Sequence, residues 1–98
     1  MSRRILLTET AQAQLGHLLD YLESEWSEKV KQEFLEKLDK RIELVRKRPN
    51  LFPTSKIKSG LHKCVVTKQT TMFYMYNQTE ITVLSIFDTR QDSDKLER

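Results

Sequence analysis

The sequence ITVLSIF, which begins at Ile81, constrains the fold more than any other part of the chain. Alternate residues of a strand point to the same face of a sheet. Ile81, Val83 and Phe87 are therefore expected on one face, and Leu84 and Ile86 on the other, so both faces are apolar. A strand with two apolar faces belongs in the middle of a sheet, between two neighbours. We therefore expect the fold to be organised around a central strand near the end of the chain.

Two amphipathic helices are predicted earlier in the chain. The first begins after Thr8 or Thr10, because a hydroxyl there can accept hydrogen bonds from the free backbone N–H groups of a helix. The second begins after Ser27 and cannot continue through Pro49. Apolar residues recur at helical spacing in both helices, at Ala11, Leu15, Leu18, Leu19 and Leu22 in the first and at Val30, Phe34, Leu35, Leu38, Ile42 and Val45 in the second.

The outer face of the second helix carries acids that stand four residues before bases. This spacing and orientation favour ion pairs along an exposed helix. The sequence therefore predicts the pairs Glu33–Lys37, Glu36–Lys40 and Glu43–Lys47.

Four strands complete the prediction, at residues 3–7, 61–66, 71–76 and 81–87. The last three are rich in β-branched and aromatic residues and are separated by short polar turns, so they can form an antiparallel meander. The predicted fold class is α+β with the order β-α-α-β-β-β, in which an antiparallel helix hairpin packs on one face of a four-stranded, mainly antiparallel sheet. One domain is expected over residues 1–98, with a polar tail at 93–98.

The second apolar face of this sheet needs a cover of its own, because the helix hairpin covers only one face. Three covers are compatible with the sequence. They are a partner protein, the polar tail, and the connection between Pro49 and Gly60, which contains Phe52.

Composition excludes several classes of function. No apolar run approaches the roughly 18 residues of a membrane span, and the apolar run after Met1 is too short for a secretory signal. We therefore expect a cytoplasmic protein with no membrane contact. Cys64 is the sole cysteine, so no internal disulfide can form. The histidines, His17 and His62, are isolated, and no glycine-rich loop is present, so neither a metal nor a cofactor is expected.

Arg90 is the strongest candidate for a functional residue, because it follows the last strand and is held by a rigid element. Lys63 and Lys68 are expected on neighbouring strands, in a segment between Leu51 and Thr79 that contains no acid. An arginine fork with nearby lysines suits phosphate or carboxylate groups. The alternative is a purely structural ion pair of Arg90 with Asp88 or Asp92.

The aromatic residues Tyr74 and Tyr76 alternate with Phe73 and Met75 along the middle strand of the meander. Exposed aromatic rings on a sheet can stack on nucleic-acid bases. Strand aromatics also form cores, and the sequence leaves both possibilities open.

The ordered motifs give the chain a resemblance to the RelE/ParE superfamily of toxins from bacterial type II toxin–antitoxin (plasmid stabilisation) systems. The resemblance covers nearly the whole chain. It rests on the first helix pattern from Ala11 to Leu22, Arg48-Pro49 followed by Phe52-Pro53, the strands at 61–66 and 68–74, and the last strand with the run Asp88-Thr89-Arg90-Gln91-Asp92 behind it.

The resemblance implies a toxin that inhibits growth until a cognate antitoxin binds it. RelE-like members cut messenger RNA on the ribosome with basic residues and a tyrosine or histidine near the C-terminus; here Arg90, Lys63 and Lys68 would hold the phosphate. The middle strand has Thr71-Met72 where those nucleases place an arginine, and no tyrosine or histidine follows Arg90. These departures favour the ParE-like, non-catalytic poisoning of DNA gyrase.

The resemblance also implies contacts with the antitoxin or the target at Arg90, Lys63, Tyr74, Tyr76 and Phe87. The alternatives to a gyrase poison are a ribosome-dependent endoribonuclease and an inactive binding module.

Overall fold

The computed structural model describes residues 3–56 and 58–90. The elements follow in the predicted order. They are β1 (Arg4–Leu7), α1 (Glu9–Glu25), α2 (Glu28–Lys47), a single 3₁₀ turn (Pro49–Leu51), β2 (His62–Val65), β3 (Thr70–Tyr76) and β4 (Glu80–Asp88). The polar tail predicted at 93–98 lies outside the described residues.

Both helices begin where a hydroxyl caps them. The Thr8 side chain accepts a hydrogen bond from the Ala11 N–H at 3.1 Å, which selects Thr8 over Thr10 as the first cap. Ser27 accepts from the Val30 N–H at 3.1 Å in the same way. α2 ends at Lys47. Pro49 follows Arg48 and cannot continue the helix.

The sheet has the strand order β1-β4-β3-β2, so β4 is a central strand, as predicted. β3 pairs with β4 and β2 with β3 in antiparallel fashion. β1 pairs with β4 in parallel, with Ile5 opposite Ile81. The sheet is therefore mixed, and the predicted fold class is confirmed with this one detail added.

A β-bulge interrupts the pairing of β4 with β3. Phe73 is opposite Ser85 and Tyr74 is opposite Val83, so Leu84 has no opposite residue. An extra residue in one strand reverses the inside–outside alternation beyond it.

The bulge corrects the predicted faces of the central strand. Ile81 and Val83 face the helices, and beyond the bulge Ile86 and Asp88 do so too, as their burial shows. Phe87 lies on the opposite face. The expectation that Phe87 shares a face with Ile81, and that Ile86 lies opposite, is wrong because regular alternation was assumed through the whole strand.

Two side chains from the start of α1 bond the backbone of β4 at the bulge. The Thr8 hydroxyl donates to the Leu84 carbonyl at 3.1 Å, and the Ile86 N–H donates to Gln14 Oε1 at 2.8 Å. β1 ends at Leu7, so these side chains take over the hydrogen bonds that a longer β1 would have made.

The hydrophobic core lies between the helix hairpin and one face of the sheet. Both helices contribute the stripes predicted for them, and Phe52 packs against the same core. The fully or almost fully buried residues are Ala11, Leu18, Leu22, Phe34, Leu38, Val45, Cys64, Val66, Met72, Tyr74, Ile81, Val83 and Ile86. No helix in the described part of the chain is long and apolar enough to cross a membrane.

The three ion pairs predicted on the outer face of α2 do not form. Lys31 pairs with Glu23 and Glu28, and Arg46 pairs with Glu43. Exposed i,i+4 pairs contribute only about 0.3–0.5 kcal/mol, so little free energy favours their formation. The described residues consequently offer no acidic partner to Lys37, Lys40 and Lys47.

The hydroxyl of Tyr74 makes a buried hydrogen bond that can be removed without changing the shape of the ring. It donates to the Pro49 carbonyl at 2.6 Å. We expect Tyr74→Phe to lower the free energy of unfolding by about 1–2 kcal/mol, because the buried carbonyl loses its partner. Urea unfolding at pH 7 measures the change. Tyr76→Phe, at the surface, is the matched control, and an equal loss in both variants would contradict the assignment.

Candidate binding surfaces

Arg90 is held by a buried carboxylate. Its Nε donates to Asp88 Oδ1 at 3.2 Å and its Nη2 to Oδ2 at 3.1 Å. Its backbone N–H donates to Oδ1 at 3.0 Å, and the Thr70 hydroxyl donates to Oδ2 at 2.6 Å. Asp88 is only 3% exposed, so this set of bonds neutralises a charge that would be costly to bury alone. We call Thr70, Asp88 and Arg90 the Asp88 clasp.

The Asp88 clasp contains one of the ion pairs that the sequence offered to Arg90. Arg90 forms the structural ion pair with Asp88. Asp92, the other partner considered, lies outside the described residues. Two of the donors of the guanidinium fork are already used, so a phosphate would have to compete with a buried carboxylate for them.

Trp26 lies beside the Asp88 clasp. It follows α1 in the loop between the helices, is 58% exposed, and has the Arg90 guanidinium carbon 5.9 Å from its ring centroid. Residues from both helices, including Leu22, Val30 and Phe34, form a small depression with Arg90 at its edge. Trp26 is not among the residues predicted from the sequence. The available signal was a single tryptophan directly before the helix cap Ser27, outside both apolar stripes.

In the part of the chain that the structure describes, no segment covers the sheet face opposite the helices, which is apolar at its centre; we call it the open face. Val65 and Phe87 are its most prominent apolar residues, with 49% and 40% exposure, and Leu6 is also exposed. Lys63 lies on β2, two residues before Val65 and on the same face. The strand pairing places the half-buried side chains Thr71, Phe73, Met75, Thr82 and Ser85 on the same face.

The described residues of the connection between the helices and β2 leave most of the open face uncovered. Phe52 packs into the helix-side core instead. Gly60, which has a φ of 81°, lies beside the Met75 side chain. Of the covers predicted from sequence, the tail lies outside the described residues, and the described part of the loop covers little of this face.

The structure does not bring the predicted site residues together. Lys63 and Phe87 lie on the open face, but Arg90 contacts Trp26 on the helix side. Lys68 is exposed in the turn between β2 and β3. Tyr76 lies at the end of β3, where its ring contacts the Arg3 guanidinium and the His62 ring, which is tilted by 51° to it.

Tyr74 is a core residue and cannot contact an antitoxin or a target. It is fully buried, and its ring stacks on His62 with centroids 5.2 Å apart. Burial away from water, which disfavours the charged form, raises the pKa of its hydroxyl well above the usual range. The predicted role of Tyr74 at a binding surface is wrong, because the helix-side pattern of β3 runs through Thr70, Met72 and Tyr74.

A family model described as the ParE toxin of the type II toxin–antitoxin system parDE matches residues 5–93. The uncovered sheet face and the helix hairpin thus belong to a small toxin fold. Because the match spans most of the sequence, the chain belongs to the ParE toxin family of type II toxin–antitoxin systems. A search of curated proteins gave no match.

Solved structures with the same fold come from several toxin–antitoxin systems. A chain of the chromosomal ParDE system from P. aeruginosa has a TM-score of 0.71 at 13% identity, covering 89% of this chain and 96% of that one. A chain of the E. coli DinJ–YafQ toxin–antitoxin complex has a TM-score of 0.63 at 9% identity, covering 93% and 97%. The YoeB/ParE toxin from Agrobacterium tumefaciens has a TM-score of 0.62 at 11% identity, covering 87% and 96%.

The hydrogen bond from Thr70 to the buried Asp88 carboxylate can be tested with an isosteric change. We expect Thr70→Val to lower the free energy of unfolding by about 1.5–3 kcal/mol, the range for hydrogen bonds to charged groups. Thr71→Val, on the open face of the same strand, is the matched control and should change stability by less than about 0.5 kcal/mol. Equal effects in urea unfolding, followed by Trp26 fluorescence, would contradict the role of Thr70.

The thiol of Cys64 should be unreactive in the folded protein. Burial raises its pKa to about 11, and the side chain is fully buried. We expect no modification by a thiol reagent at pH 8, and rapid modification in denaturant. Because the folded pKa lies above the unfolded value, this group stabilises the fold less as the pH rises from about 9 to about 11. Rapid labelling without denaturant would show that the site opens.

Proposed function

We propose that this chain is a growth-inhibiting toxin that acts by binding a protein target, with DNA gyrase as the leading candidate, and that a cognate antitoxin neutralises it. The observation that carries the proposal is the open face. An apolar surface centred on Val65 and Phe87, with Lys63 beside it, suits contact with another protein.

The positions of the basic residues argue against ribonuclease activity. Cleavage of RNA at a phosphate needs cations close to it and a group that moves a proton from the ribose hydroxyl. Lys63 and Arg90 lie on opposite faces of the sheet, and the Arg90 fork is bound to Asp88. At the positions where the resemblance leads one to expect an arginine, Thr71 is half-buried and Met72 is in the core.

The comparisons support a toxin of this class at the level of the family. The family model is that of ParE, and the similar structures include the toxin–antitoxin system of P. aeruginosa and the E. coli complex. A target such as gyrase would place the action of the chain in the cytoplasm.

The open face, which includes Lys63 and Phe87, is the proposed contact region. Two further proposed contacts lie away from the open face. They are Tyr76, at the end of β3, and Arg90, at the Asp88 clasp. The side chains of Lys63, Tyr76 and Phe87 are exposed. Arg90 lies beside the exposed ring of Trp26.

Growth of a bacterial culture after tightly controlled induction tests the proposal. We expect arrest by the parent and loss of arrest in Val65→Glu/Phe87→Glu, because two buried charges would oppose an apolar contact. Leu51→Glu is the control, since Leu51 is an exposed leucine outside the open face. Circular dichroism and thermal unfolding of all three proteins establish that they fold equally well.

Biochemical assays then separate the targets. The purified parent should inhibit supercoiling by gyrase, and the double variant should not. Primer extension on cellular transcripts should give unchanged 5′ ends after induction. New transcript ends that depend on Arg90 and Lys63 would replace the proposal with an endoribonuclease, and no arrest by the parent would leave a binding module without toxicity.

A further inference from the structure

One end of the molecule is built from the end of α2, the end of β3 and the starts of β1 and β2. A series of contacts joins these elements. The Tyr74 hydroxyl bonds the Pro49 carbonyl directly after α2, and the Tyr74 ring stacks on His62. The His62 ring contacts Tyr76, and the Arg3 guanidinium lies over the Tyr76 ring at 5.5 Å from its centroid. Basic residues of distant parts of the sequence therefore meet at this end.

The connection that leads into β2 brings further lysines to the same end. His62 Nδ1 lies 2.8 Å from the Phe52 carbonyl, and the Leu61 N–H donates to the Lys58 carbonyl at 3.2 Å. These contacts hold the connection against the start of β2, and the exposed side chains of Lys56 and Lys58 belong to it. We call the following basic residues the cationic end: Arg3, Lys47, Arg48, Lys56 and Lys58.

The described residues do not neutralise the cationic end. Acids of the neighbouring elements are bound to other bases, since Glu43 pairs with Arg46 and Glu80 pairs with Arg4. None of the five residues of the cationic end forms an ion pair with a described acid. The sequence from residue 51 to 79 contains no acid, and α1 contains no lysine or arginine. The net charge of +3 is therefore the balance of an uneven distribution, with a surplus of positive charge at this end.

The aromatic rings at the cationic end are not free to stack on bases. Tyr74 is fully buried, and Phe52 packs against the core. Tyr76 is exposed, but Arg3 lies over its ring and the His62 ring contacts it. Proteins that bind single strands without sequence preference combine a basic surface with accessible aromatic rings. The cationic end has the basic surface without accessible rings, so it does not suit a single strand.

The backbone at the cationic end is not free to pair with a peptide strand. The Lys63 N–H donates to the Pro53 carbonyl at 2.9 Å, and Thr54 forms a bridge with His62. Residues 53–55 therefore occupy the outer edge of β2 at this end. An acidic peptide would find charge here without the strand edge that usually supplies its main-chain hydrogen bonds.

We propose that the cationic end binds the phosphate backbone of duplex DNA, without readout of the bases. A duplex carries phosphates at regular spacing, and lysine and arginine side chains on several elements can contact them without a groove or a strand edge. The choice of DNA rests on the proposed function, because a target that works on DNA would bring a duplex to the bound toxin. The open face lies on the other side of the sheet from α2 and remains the contact on which growth arrest depends.

The test measures binding of the purified chain to a short fluorescent DNA duplex by anisotropy. The titration is repeated between about 50 and 200 mM salt, because each phosphate contact releases counterions. We expect a slope of log K against log salt concentration of about −3.6, the value for four phosphate contacts. Two duplexes of unrelated sequence should bind with the same affinity, and a single strand should bind no more tightly than either.

Two double variants that remove the same net charge separate direct contact from long-range attraction. Arg48→Gln/Lys56→Gln changes the cationic end, and we expect a slope that is smaller by about 1.8 and an affinity that is at least about fivefold lower. Lys29→Gln/Lys68→Gln changes exposed lysines at the opposite end, at the start of α2 and in the turn after β2. The slope of this control should stay within about 0.5 of the parent. Circular dichroism and thermal unfolding establish that both variants fold.

Several results would overturn the inference. They are a slope near zero for the parent, equal slopes in the two variants, tighter binding of a single strand than of the duplex, and a preference for duplex RNA over duplex DNA. Tighter binding of a polyglutamate peptide than of the duplex would assign the cationic end to an acidic protein instead. The measurement needs neither gyrase nor growth arrest, so its failure is distinguishable from a failure of the proposed function.

Discussion

The hydrogen bonding of β4 determines where the other parts of the molecule lie. This strand must satisfy backbone groups on both edges while carrying apolar side chains on both faces. β3 provides one edge, and β1 provides the other only as far as Leu7, after which Thr8 and Gln14 of the α1 region continue it. The unopposed Leu84 lies where these two arrangements meet, and the faces of all later residues follow from it.

The bulge and the Asp88 clasp are physically connected. Without the extra residue, Asp88 would point away from the helices and into water, where it would need no partner. With it, Asp88 is buried and requires the bonds that Thr70 and Arg90 provide. The same reversal places Phe87 on the open face. The bulge thus gives the helix side a buried ion pair and gives the opposite side an exposed aromatic ring.

The sequence predicted the elements well because their signals are local. Thr8 and Ser27 cap the helices, Pro49 ends the second, and the apolar run from Ile81 marks the central strand. The faces of Ile86 and Phe87 could not be predicted, because the bulge depends on bonds to Gln14, far away in the sequence.

The candidate sites were harder to predict than the fold, for a related reason. The sequence placed Arg90 and Lys63 in one cluster because both lie on strands or strand ends, but the two side chains leave the sheet on opposite sides. Tyr74 was exposed in one of the two interpretations, yet its position opposite Val83 buries it. The ion pairs predicted along α2 do not form because exposed pairs of this kind contribute little free energy.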